Sequence, residues 1–304
     1  MLERSRGLMA AAWATLVSQI VIVGTGGAVR LTGSGLGCTT WPNCEPESFV
    51  PVPEQGIHGV IEFTNRVWGA VVVAIAVIML VMAIRRRVDR SIAWLAGLVL
   101  GLSIAQALIG AVVVWMELRP DTVGVHFFLS VILVALSAVL VWKVVVGPSG
   151  PRVAPRWQSA LVHLMTFALV VVIVVGVLTT GSGPHAGDGG AARNGLDPAV
   201  MQHVHAWPGY VLLALTIAVV AVAWRRGPRL HLRWSLALLG VILVQVVVGI
   251  VQSRLGLPIM LVGIHMVLSV VSAAIGAAVV LSLRPPRPVD EHAARADATA
   301  VVPA

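Results

Sequence analysis

The sequence predicts an all-α integral membrane protein of eight transmembrane helices, arranged as two tandem four-helix bundles related by a pseudo-two-fold axis along the membrane normal. Three observations carry this expectation. The chain is 58% hydrophobic and 11% charged, whereas soluble domains run at about 25% charged. Its apolar residues fall into runs of bilayer-crossing length, about 20 residues each. The second half of the chain also repeats the pattern of the first. No remaining stretch is long enough for a soluble domain. The balance of +8 does not point to nucleic acid, because the arginines cluster in short loops, as membrane orientation requires.

The first span, 8–29, follows Arg4 and Arg6 and is too long for the apolar core of a signal peptide. The second, 57–84, ends at Arg85, Arg86 and Arg87, and the third is 92–115. Spans follow at 123–146, 157–180, 201–224, 232–253 and 260–283. Alternate loops are basic: Arg90 joins the first cluster, Arg152 and Arg156 lie between spans 4 and 5, and Arg225, Arg226, Arg229 and Arg233 lie between 6 and 7. Arg284 and Arg287 follow the last span, while the opposite loops carry only Arg30, Arg119, Arg193 and Arg254. Both termini are therefore expected in the cytoplasm. The loop with Cys38 and Cys44 then lies outside, where a close pair can form a disulfide. Trp94, Trp115, Trp142, Trp157, Trp224 and Trp234 sit at span ends, as an interfacial aromatic belt does. Residues 285–304 are rich in Pro and Ala and are expected to be disordered.

The repeat is read from matched residues. Gln106 precedes His126 at the same spacing as Gln245 precedes His265, Gly110 matches Gly249, and Leu129-Ser130 matches Leu268-Ser269. LTGSG at 31–35 matches TTGSG at 179–183. Each repeat holds an even number of spans, so the halves share one orientation, the parallel kind of repeat. The expected units are 1–150, 151–284 and the tail 285–304.

Chemistry is carried by polar residues inside the spans, whose burial in lipid is costly. On the second span His58, Glu62 and Asn65 fall on one helical face. Glu62 is the one acidic residue in an apolar span, which marks a functional site; the alternative is an ion pair with Arg66 that holds helix and loop together. Aligning NRVWG with HAWPG sets Asn65 opposite His205 and Glu62 opposite Gln202. His205 and His265 enter spans 6 and 8 at one depth, and two such imidazoles can clamp a heme iron from both faces. His203 is a rival to His205, and the repeat favours His205. The first half offers Asn65 and His126 at the equivalent places, so it has one good iron ligand and a nearby carboxylate. His163, His185, His231 and His292 are read as ordinary solvated or interfacial residues.

The motifs GGAVRLTGSGLGC…WPNC, IEFTNR and VHFFLS resemble the heme A synthases, over essentially all the spans. The resemblance implies an enzyme of the cell membrane that oxidises the C8 methyl group of heme O to a formyl group, making heme A for terminal oxidase. It implies a heme b held by His205 and His265 in the C-terminal half. Heme O would bind in the N-terminal half, with Glu62 as the catalytic acid and His126 as the histidine there. Cys38 and Cys44 match an outer-loop pair proposed to be redox-active. The implied partners are heme O, heme O synthase, an electron donor and membrane lipid, with no nucleic acid; a homo-oligomer is left open. One departure stands out. The family pattern is Glu-x-x-His-Arg and this chain has Asn65 at the histidine, so either Asn65 serves there or His58 serves a shifted site. Two other readings compete: a b-type diheme membrane electron carrier, and a transporter built on parallel repeats.

Overall fold

The computed structural model describes residues 5–151, 154–185 and 187–284. Every expected span is a helix, with limits met to within one turn. The first half holds α1 (Arg6–Leu31), α2 (Gly56–Arg85), α3 (Arg90–Trp115) and α4 (Pro120–Val145). The second holds α5 (Arg156–Ser182), α6 (Pro198–Arg226), α7 (Arg229–Arg254) and α8 (Ile259–Leu281). These eight are the helices among the described residues that are long and apolar enough to cross a membrane. Several extend past the apolar run because capping chemistry, not hydropathy, sets their first turn. Asp197 accepts from the N–H groups of Ala199 and Val200 at 2.8 and 3.2 Å. Pro198 fills the first position of α6, where no N–H is needed. Asp89 caps α3 in the same way, through Ser91 N–H.

Helix contacts close two rings. In the first, α1 meets α2, α2 meets α3, α3 meets α4 and α4 returns to α1; α5, α6, α7 and α8 do the same. The rings join through α4–α8, α1–α8 and α4–α5. Exchanging each helix with its counterpart in the other half maps this set of pairs onto itself. The central helices α1, α4, α5 and α8 meet through small residues, as helices in lipid do. A Cβ on Gly124 would lie 2.8 Å from Val177, and one on Gly276 would lie 3.0 Å from Leu169. Apolar side chains such as Leu108, Trp207 and Val247 point outward from the peripheral helices, where a bilayer would meet them.

Four connections gather at one end, with the cysteines. Gly35 N–H donates to Gly187 O at 3.0 Å, and His185 Nε2 lies 2.9 Å from Leu257 O. The turns after α3 and α7 use the same device at equivalent places in the repeat. Leu118 and Leu257 both take left-handed conformations, with φ of 60° and 61°, which costs a non-glycine residue roughly 1–2 kcal/mol. Leu118 offsets this by packing against Leu36 and Ala191 from two other connections.

Two expectations are corrected. His231 is not solvated: it is fully buried, because α7 starts a turn early and carries it beneath the end of α8. There its Nδ1 lies 2.8 Å from Ser282 Oγ. Trp142 is not in an interfacial belt; it is buried and packs against Trp234, ring centroids 6.1 Å apart. Trp94, Trp115, Trp157 and Trp224 are exposed to the surroundings as a belt needs. His163 is exposed, and His292 lies outside the described residues, as does the tail 285–304. Ser282→Ala strands a buried ring nitrogen. It should lower stability by about 1–3 kcal/mol, read as earlier thermal unfolding in detergent, while His163→Ala should leave the transition in place.

Candidate functional site

The polar stripe of α2 faces α1 and the loop that follows it, and each member finds a different partner there. His58 Nδ1 lies 2.8 Å from Ser34 Oγ. Glu62 is 4% exposed, and both of its oxygens are engaged. Oε2 accepts from the backbone N–H of Cys38 at 2.8 Å, and Oε1 accepts from Arg66 Nη2 at 2.6 Å. Arg66 turns its other amine to the carbonyls of Thr40 and Asn43, at 2.8 and 3.1 Å. The ion pair expected as the alternative reading of Glu62 is therefore present, and it ties α2 to the cysteine loop. Cys38 and Cys44 form a disulfide within that loop, and both are fully buried. Asn65, one turn further along, accepts from Thr25 Oγ1 at 2.7 Å.

His58 is separated from this cluster. It lines a cavity of about 530 Å³ at the cysteine-loop end, together with Thr32, Thr39, Gln55 and Asp188. Residue 58 is exposed, and its imidazole is turned to α1's terminal loop rather than toward Asn65.

In the second half the structure brings His205 and His265 together. Their ring centroids are 6.1 Å apart and their planes lie at 79°. His205 comes from α6 and His265 from α8, which stand diagonally across the second ring of helices. Two imidazoles bound to one metal have their ring centres roughly 6 Å apart, at about 2 Å per metal–nitrogen bond plus ~1 Å from each nitrogen to its ring centre. The Nδ1 atoms of both rings are buried without a hydrogen-bond partner. Spacing and unpaired nitrogens both fit a shared metal of the heme type, for which neutral imidazole is the usual axial ligand. His203, the rival, is exposed and outside this pair.

His126 in α4 is the counterpart of His265, and its Nδ1 is likewise unpartnered. Each is supported through its carbonyl by a glutamine of the preceding helix. Gln245 Nε2 donates to the carbonyl of His265 at 3.2 Å, and Gln106 donates to the carbonyls and hydroxyls of the matching turn, His126 O and Ser130 Oγ. Among the described residues no hydrogen bond or ion pair joins His126 to Glu62, Asn65 or His58, so the first half presents one imidazole alone.

Glycines make room for these rings, which sequence reasoning only half noticed. A Cβ on Gly176 would meet Cε1 of His205 at 2.9 Å; on Gly249 it would meet Cε1 of His265 at 3.4 Å, and on Gly110 that of His126 at 3.5 Å. Gly26 stands 3.7 Å from the Asn65 amide oxygen by the same measure. Each polar residue thus lies against a bare patch of the preceding helix. Gly110 and Gly249 announce themselves by matching in the repeat. Gly26 and Gly176 carry no such signal.

Fold and site define a class: a polytopic helical membrane protein with facing imidazoles near one end and a disulfide-clipped loop over a buried carboxylate. The chain belongs to the cytochrome oxidase assembly protein family, whose pattern matches residues 10–279. It is similar to the heme A synthase of Caulobacter vibrioides, 27% identical over 344 residues, covering 93% of this chain and 98% of that protein. A heme A synthase of Lysinibacillus sphaericus is 33% identical over 148 residues, 48% of this chain and 47% of that protein. The protoheme IX farnesyltransferase of Thermus thermophilus is 27% identical over 176 residues, which is 55% of this chain and 28% of that protein.

The loop geometry makes a prediction. Untreated protein should not react with a maleimide, and reduced protein should react slowly, because both sulfurs are enclosed. Arg66→Ala removes the donor to Thr40 and Asn43 and should speed labelling after reduction severalfold. Immediate labelling of both thiols without reductant contradicts the disulfide.

Proposed function

We propose that the protein is a heme A synthase, oxidising the C8 methyl group of heme O to a formyl group. Family membership across residues 10–279 supports this reading. The observation that carries it to the site is the His205–His265 pair at 6.1 Å. Residues 151–284 form the half that holds a heme b between these two histidines. That heme supplies electron transfer. Residues 1–150 form the half that receives heme O, with His126 facing the substrate.

The chain's own residues divide the remaining work. Turning a methyl into a formyl group replaces carbon-bound hydrogens with an oxygen atom and moves protons, so a carboxylate beside the substrate is useful. Glu62 is buried and held in one orientation by Arg66 and the Cys38 N–H. It steers a proton or stabilises positive charge near the methyl. Asn65 keeps its amide on Thr25, and as a poor iron ligand it leaves that side of the first-half site open. This inequality of halves disfavours the diheme electron carrier, which needs two equivalent bis-imidazole sites.

The protein belongs in the cell membrane with both termini cytoplasmic. The arginine-rich connections lie opposite the cysteine-loop end, which supports this orientation. Heme O synthase is the expected neighbour, since farnesylation of protoheme precedes methyl oxidation. The resemblance of part of a protoheme IX farnesyltransferase to this chain supports that pairing. An electron donor completes the set of partners.

Two experiments test the reading. His205→Ala or His265→Ala should strip or loosen the tightly bound heme and abolish its low-spin spectrum, whereas His203→Ala should not. Full retention in both variants removes the clamp. Glu62→Gln keeps size and the contact to Cys38 but removes the charge. It should leave the protein folded with its heme b, while heme O accumulates and heme A falls at least tenfold per folded molecule, a loss of about 1.4 kcal/mol or more in barrier terms. If Glu62 only braces the loop, heme A per folded molecule stays at the wild-type level and only the yield of folded protein drops.

A further inference from the structure

We propose that Arg30, a residue of the first half, anchors the carboxylates of the heme clamped by the second half; this rests on the His205–His265 clamp argued above. Arg30 ends α1 and carries its guanidinium across the boundary between the halves. Nε donates to His185 O at 2.7 Å and Nη2 to Thr180 O at 3.3 Å. Arg193, from the α5–α6 connection, lies close enough for the two charges to repel. It spends its own donors on Ala191 O and Pro184 O, at 2.6 and 3.0 Å. Among the described residues the ion pairs are Glu62–Arg66 and Asp121–Arg119. So the part-buried Arg30 and its exposed neighbour Arg193 have only carbonyl oxygens as hydrogen-bond partners. Such a pair is poised for an anion, and Arg suits a carboxylate because its planar fork can bond both oxygens.

Two helix registers locate this cationic pair relative to the imidazoles. On α5, Thr180 lies one turn beyond Gly176 on the same face, and Gly176 is where the His205 ring packs. On α8, Gly27 of α1 sits opposite Met266, and Leu31 sits opposite Gly263. Arg30 therefore stands level with the turn that carries His265. The α8 register sets the backbone of Arg30 at the imidazole level, and the bond to Thr180 on α5 carries its guanidinium about 6 Å, four residues at 1.5 Å each, from Gly176 toward the cysteine-loop end. A heme hangs its two carboxylates on short flexible chains from one edge, and they reach past the ring by a distance of order one helical turn, ~5 Å. The carboxylates meet Arg30 if that edge points to the cysteine-loop end.

The repeat shows that this feature belongs to one half only. The match of LTGSG with TTGSG sets Leu178 in the place of Arg30. No arginine of α5 returns the favour to the first half.

The test uses full-length protein in detergent, freed of heme and titrated with hemin or with hemin dimethyl ester, which keeps the ring and loses the carboxylate charge. Wild type should bind the acid about tenfold or more tighter than the ester, the worth of charged hydrogen bonds. In Arg30→Gln the acid should weaken to the level of the ester, with ester binding unchanged. Equal weakening of both ligands would make Arg30 a structural strut and overturn the proposal, as would an acid-to-ester ratio left intact. Should Arg30→Gln fail to fold, wild type still decides, because equal affinity for acid and ester overturns the proposal with no variant. Arg30→Lys, which keeps the charge and loses the fork, should retain part of the discrimination. A His265→Ala control reports separately on the clamp: a low-spin spectrum that survives in it removes the clamp, whatever the ratio at Arg30.

Discussion

A bilayer core offers no hydrogen bonds, so each polar side chain carried into it must be met by the protein itself. The structure around the site follows from that constraint. Glu62 is met by Arg66 and by the Cys38 N–H, and Asn65 by Thr25. Carbonyls of His126 and His265 are met by Gln106 and Gln245. Some buried atoms of the described residues stay unmet, among them Nδ1 of His126, His205 and His265, Nε2 of His231 and the amide oxygens of Gln106 and Gln245. A buried polar atom without a partner costs about 1–3 kcal/mol. Under the proposed reading, the imidazoles on α4, α6 and α8 are the ones among these that a bound heme would meet.

Room is the second half of the same constraint. An imidazole on one helix reaches inward only if the neighbouring helix is bare. Gly110 and Gly249 provide this at matching places in the repeat. The repeat alignment pairs Gly176 with Ala28 and Gly26 with Val174, so α1 and α5 reach the same result from different positions. The duplication has therefore kept the surface and not the residue. Close approach to the His205 ring is the tightest of the set, at 2.9 Å for a Cβ on Gly176.

Much of this was legible in the chain. Apolar run length located every helix, because lipid thickness fixes how long a span must be. Charge and rarity singled out Glu62, His126, His205 and His265 for the same reason that they are costly. Their partners were less legible. Nothing in the spacing of Ser34 or Thr25 says that the loop folds back on α2, since loop closure is a tertiary event. His231 misled because hydropathy places it outside the apolar run. Its burial depends on Ser282, far away in sequence, arriving opposite. Trp142 misled in the same way: an aromatic residue at a span end has the same sequence signature whether it faces lipid or a neighbouring helix, and here Trp234 takes that face.

Two halves with one frame and unequal contents are what a two-task protein needs. The second half pairs His205 with His265, and the counterpart of Glu62, Gln202, lies exposed on α6. The first half keeps His126 alone, buries Glu62, and carries the disulfide loop above it. Under the proposed reading a saturated iron suits electron transfer, because nothing else can bind it, and an iron with one good ligand suits a substrate that must react. Arg30 crosses from the first half to the carbonyls of Thr180 and His185 in the second. The two halves are therefore joined by a charged side chain as well as by packing. Under the Arg30 proposal a residue of the substrate half completes the rim of the electron-transfer half, so the second bundle would not hold its full site if cut from the first.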